Sequence, residues 1–134
     1  MSYIKQMFET HPHDPKSDHS KAIECITACY ACHETCNACA DACLGEKDVQ
    51  SQVSCIRNNL DCADVCLATA KVISRLTATN KKLSGDLLRA CITACEICGA
   101  ECGHHAEKMK HCGICAEACR RCAEACRNLL AEAA

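Results

Sequence analysis

The chain has no tryptophan, one phenylalanine and two tyrosines in 134 residues, so a core built on aromatic packing is excluded. Aliphatics are scarce as well. Nine Leu, eight Ile, four Val and the single Phe fall below the ~20 % share at which folding on apolar burial alone becomes doubtful. With 15 basic against 17 acidic residues and a net charge of −2, there is no positive surplus of the kind that binds nucleic acid. No stretch approaches the ~18 uninterrupted apolar residues of a membrane span. The opening MSYIKQMFETHPHDPK has neither an apolar signal core nor a twin arginine, so the expected location is the cytoplasm.

Cysteine is what the chain has instead, 18 of them. Such a share usually marks a secreted disulfide scaffold, but in a reducing cytoplasm the same richness points to metal binding or catalysis. Disulfide scaffolds are short and loop-rich, whereas these cysteines lie among helix-forming Ala, Glu, Lys and Arg.

Their spacing is more telling than their number. From Cys25 the chain reads CITACYACHETCNACADAC, placing cysteines at 25, 29, 32, 36, 39 and 43 in steps of four and three. That is the spacing of one face of an α-helix turned toward a neighbouring helix. The stripe recurs as Cys55, Cys62 and Cys66, with Asn59 at the skipped position. It recurs again as Cys91, Cys95, Cys98 and Cys102, and finally as Cys112, Cys115, Cys119, Cys122 and Cys126.

The predicted fold class is all-α, an antiparallel up-down-up-down four-helix bundle of residues 14–134 preceded by a short extension, 1–13. In the extension, Tyr3, Ile4, Met7 and Phe8 would share one side of a short helix ended by Pro12. Asp14-Pro15 reads as the start of helix 1, which ends at Leu44 with Gly45 as a left-handed cap. Asp48 or Ser51 would cap helix 2, which continues through Ile73 and Leu76. Helix 3 runs from Lys81 to a tight Gly103-His104-His105 turn, and helix 4 carries the last five cysteines to Leu129.

This topology makes the two ends unlike. One gathers Ile23, Ile26, Ile73, Leu76, Leu83, Leu87, Leu88, Leu129 and Leu130 as an aliphatic plug. The other gathers Cys43, Cys55, Cys102 and Cys112 with His104, His105, Met109 and His111, a mouth of soft ligands where imidazole and thioether could pass a metal inward. If helix 3 extends, His105 and Met109 continue its stripe; a turn at Gly103 favours His104. His11, His13, His19 and His33 read as solvated.

A charge argument selects the metal. Burying unpaired thiolates costs several kcal/mol per ion. Zinc takes four protein ligands, so all-cysteine zinc sites would each retain two negative charges. One monovalent soft ion per thiolate leaves the core near neutral, and thiolates favour Cu(I). Pairs at i, i+4, such as Cys25/Cys29 or Cys122/Cys126, can grip such an ion without bending the backbone. Iron–sulfur clusters suit loops better than unbroken stripes. A nucleophilic cysteine would need one thiol singled out by a base or cation, so no enzymatic turnover is expected. A zinc or heavy-metal sequestering protein, or a metal-sensing regulatory bundle, is the alternative.

The motifs CxxxCxxCxxxCxxCxxxC, CxxxCxxCxxxC and CxxCxxxCxxCxxxC resemble those of the bacterial copper storage proteins, and the absent export signal is similar to their cytosolic branch. The resemblance implies a homotetramer of bundles filled with Cu(I), held mainly by cysteine pairs, for later use or detoxification. It carries the ligand role onto all eighteen cysteines. The expected partners are copper ions, further copies of the chain and a copper donor or acceptor protein, with neither nucleic acid nor membrane. Asn59 would bring an amide to the column or leave a gap.

Overall fold

Five helices and no strand make up the described residues of the computed structural model, 3–133. Residues 1 and 2 of the predicted extension, and 134 at the far end, lie outside them. The elements are α1 (Ile4–Glu9), α2 (Ser20–Leu44), α3 (Val53–Ile73, entered through a 3₁₀ turn at Val49–Gln52), α4 (Lys81–His105) and α5 (Lys110–Ala133). Each long helix packs on two of the other three long helices, α2 on α3 and α5, and α4 on α3 and α5. The four axes therefore surround a central column, and the antiparallel four-helix bundle stands as predicted. No helix is long and apolar enough to cross a membrane.

Local chemistry explains most boundaries. Asn80 accepts from the Leu83 amide at 3.1 Å and starts α4. Asp48 accepts from the Ser51 amide at 3.4 Å and starts the 3₁₀ turn. At Gly99 an added Cβ would come within 3.3 Å of the Cys119 Cβ, so the missing side chain permits the close approach of α4 and α5.

Three predicted boundaries are corrected. The first long helix begins at Ser20 rather than at Asp14-Pro15. Asp14 takes φ 57° and its carbonyl accepts from His19 Nε2 at 3.1 Å, while the His19 ring meets Phe8 edge-on at 5.2 Å. The chain must fold back here to lay Phe8 on the bundle, and a helix from Pro15 would forbid that. The start is marked by Asp18, whose carboxylate accepts from the Ser20 amide at 3.0 Å and is thereby held below its ordinary pKa.

At the other end of α2, Gly45 is not left-handed. Its φ is −84°, and its N–H donates to the Asp41 and Ala42 carbonyls at 3.2 and 3.1 Å. Finally, Gly103 does not turn the chain. An added Cβ there meets nothing, and α4 runs on to His105 before reversing over Ala106–Met109, where the Met109 amide donates to the His105 carbonyl at 2.9 Å.

The aliphatic end forms with three changes. Ile26 and Leu88 are buried, and Ile23, Ile73, Leu76, Leu129 and Leu130 pack around them, but Leu83 is exposed, Leu87 is half-buried outside that cluster, and α3 stops short of Leu76. Phe8, only 2 % exposed, completes the plug from α1, with Ile4 beside it, whereas Tyr3 and Met7 face solvent.

Ordinary apolar packing is thus concentrated at one end. Leu88→Ala should destabilise the reduced, metal-free protein by about 2–5 kcal/mol, and Cys98→Ala in mid-column by only about 1 kcal/mol. Guanidinium unfolding under reducing conditions measures both, and equal losses would contradict this division.

Candidate metal centre

Each long helix turns its cysteine stripe inward, and all eighteen thiols are free and buried. Thirteen of their sulfurs form one connected network, and toward the mouth the trio Cys43, Cys55 and Cys102 meets it through Asn59. Beside the plug, Cys25 lies 3.7 Å from Cys126, and Cys29 lies 3.6 Å from Cys122 and 3.9 Å from Cys91. In the middle, Cys32 lies 3.7 Å from Cys36 and 3.9 Å from Cys62, and Cys66 lies 3.7 Å from Cys95. Toward the mouth, Cys36 lies 3.6 Å from Cys115, Cys43 lies 4.0 Å from Cys55, and Cys55 lies 3.7 Å from Cys102. Contacts such as Cys29–Cys91 and Cys66–Cys122 cross between diagonal helices, so sulfur spans the full width of the core.

These distances decide what kind of metal site is possible. Sulfurs within 4.8 Å of one another form the quartets Cys29/Cys91/Cys122/Cys126, Cys32/Cys66/Cys95/Cys122, Cys32/Cys36/Cys62/Cys119 and Cys36/Cys98/Cys115/Cys119. Cys32, Cys36, Cys119 and Cys122 each serve two quartets. A set of separate tetrahedral sites would need unshared ligands. Shared thiolates instead suit small soft ions that bridge from one sulfur pair to the next.

Asn59 fills the skipped position of α3 and is wholly buried. Its Oδ1 accepts from the thiols of Cys98, Cys102 and Cys115 at 3.0, 3.3 and 3.3 Å, and its Nδ2 donates to Cys55 at 3.8 Å. The amide therefore stands inside the column, bonded to four thiols, and is no gap.

At the mouth, a fifth group joins Cys39, Cys43 and Cys112 to His111. His111 Nε2 donates to Glu46 at 3.1 Å, which leaves Nδ1 bare toward the Cys39 and Cys112 thiols at 3.4 and 3.6 Å. Met109, 9 % exposed, lies in the same core cluster. The fold does not bring the other two mouth histidines to the sulfurs. His104 is exposed, and His105 lies 3.5 Å from Glu101. Of the histidines read as solvated, His33 is half-buried, with Nδ1 donating to the Ala63 carbonyl at 2.9 Å. Glu46 and Gln52 were not foreseen. Gln52 alone had a signal, since it stands one turn before Cys55 on the α3 stripe.

Burial pushes the Cys112 thiol up to about 12, with charge on Cys39 and Cys43 adding to the effect. Burial likewise raises Cys55. Cys112 and Cys55 are thus neutral at rest, and a metal cation must displace their protons.

The sequence model of the copper storage proteins matches residues 18–131. The chain belongs to the copper storage protein family. A copper storage protein of Streptomyces lividans, solved with 10 copper equivalents, has the same fold at TM-score 0.92 and 46 % identity, covering 96 % of this chain and 98 % of that one. A five-copper structure, described as cytosolic, matches at TM-score 0.84 and 49 % identity over 85 % of this chain and 95 % of its own. An uncharacterized cysteine-rich protein of Bacillus subtilis, YhjQ, is 41 % identical over 95 residues, which is 70 % of this chain and 82 % of its own length.

The raised Cys112 thiol gives the mouth of this copper storage bundle a pH response of definite sign. An unfolded thiol ionises near 9, whereas the folded Cys112 thiol holds its proton to about 12. Between those values this thiol loses its proton only in the unfolded state, so its contribution lowers the stability of the metal-free bundle as pH rises from about 9 to 12. Melting temperatures of the reduced protein across that range check the sign. A flat or rising trend would contradict it.

Proposed function

We propose that this chain stores copper in the cytoplasm as Cu(I), held by its eighteen cysteine thiolates, and that it carries out no enzymatic turnover. The observation that carries this reading is the set of sulfur quartets with shared members, buried and free of disulfides. Residues 14–134 form the storage unit and 1–13 its extension, from which Phe8 seats on the plug. The similar copper-loaded Streptomyces structures support copper as the cargo, and the charge argument supports its monovalent state.

Copper enters at the mouth. His111 is the best-placed group to meet it, with Met109 beside it and His104 and His105 further out as outer ligands. The ion then moves inward by exchange between neighbouring sulfurs and past Asn59 at the one level where an amide lies between them, a motion that asks little of the backbone. At the level of Asn59, ions replace the protons that three thiols now donate to its oxygen, and the amide faces the metal directly. A copper donor or acceptor protein would dock at this end. Assembly into a homotetramer is part of the proposal, supported by apolar side chains left on the surface such as Ile97 and Ile114.

Anaerobic titration of the reduced protein with Cu(I) should show uptake approaching one ion per thiolate of the eighteen. Saturation at about four or fewer ions would instead indicate zinc-like sites or a sensor. Folded-state binding should also raise the melting temperature progressively with loading.

A further inference from the structure

The stripe of α3 begins before its first cysteine. Read toward the mouth, it runs Thr69, Cys66, Cys62, Asn59 and Cys55, and the next position is Gln52, in the 3₁₀ turn packed on the end of α2. Gln52 is buried, 6 % exposed. Its Nε2 donates to Ser51 Oγ at 3.1 Å. Its Oε1 is sealed from solvent and finds no donor among the described residues.

Leaving a buried amide oxygen without a donor is unfavourable, and Leu or Met would fill this space with no such penalty. Asn59, seven residues on along the same stripe, shows the contrast. Its oxygen is saturated by three thiols. The unsatisfied oxygen belongs to Gln52, three residues before Cys55 on the stripe, and Cys55 faces Cys43 and Cys102.

We propose that the Gln52 side-chain oxygen is a transit ligand for Cu(I), contacting each ion as it passes from the mouth to the Cys43/Cys55/Cys102 layer. An amide oxygen is a harder, weaker donor for Cu(I) than thiolate. It offsets part of the ion's desolvation without retaining it, and the ion then moves on to sulfur. This inference rests on the storage reading and names one further residue on the route.

The test compares the full-length reduced wild type with Gln52→Leu, Gln52→Met and the neighbouring exposed Gln50→Leu under anaerobic conditions. The probe is Cu(I) delivered as a coloured chelator complex, with uptake followed by the loss of chelator colour and removal by its return in excess chelator. Gln52→Leu should slow uptake by about tenfold while raising the melting temperature of the metal-free protein, since a buried unpaired acceptor is gone. Gln52→Met supplies a soft donor, so it should restore the uptake rate and slow removal. Gln50→Leu should match wild type. Unchanged uptake in Gln52→Leu overturns the proposal. Equal slowing in both Gln52 variants also overturns it, because the residue would then act only through packing. If the wild type itself saturates at a few ions, the storage reading fails, and this proposal fails with it.

Discussion

A column of sulfur inside a folded protein is governed by charge neutrality. Each thiol can be buried as a neutral S–H or as a thiolate matched by a cation, and nothing between is stable in so little water. The bundle is built around this choice. Its sulfurs lie 3.6–4.0 Å apart along four helices, close enough to share protons when empty and ions when filled. The raised pKa of Cys112 is the same constraint expressed as acid–base chemistry. A divalent ion on four thiolates leaves surplus charge, whereas a monovalent one exchanged for each proton leaves none.

The distribution of ordinary apolar residues follows from that requirement. A core filled with aliphatics would leave no room for ions, so these residues retreat to one end, where Phe8, Ile26 and Leu88 close the column. The opposite end is held by polar contacts. There Glu46 orients His111, and the Met109 amide closes the α4–α5 turn on the His105 carbonyl. One end is stoppered by aliphatics and the other carries the His111 group, the contrast on which the proposed entry route rests.

The fold was legible because the thiol stripes keep strict helical spacing, and that spacing survives whatever fills the core. The ends of the helices were less legible, for reasons specific to each. Asp14-Pro15 has the residues of a helix start, yet the demand to seat Phe8 and His19 together holds the chain back until Asp18. Gly103 looked like a turn, but glycine only permits one, and with nothing to force a reversal the helix continued. At the site, eighteen buried thiols could be placed from spacing alone. The partnership of Glu46 with His111 could not, because it joins residues 65 apart across two turns whose paths no periodicity encodes.

Proton counting during loading tests the central claim most directly. If each arriving Cu(I) replaces one buried thiol proton, a pH-stat held near pH 7 should record about one proton released per copper bound, throughout filling. Release of about two protons per ion, or of none, would contradict an account in which monovalent cations exchange one for one with the protons of the column.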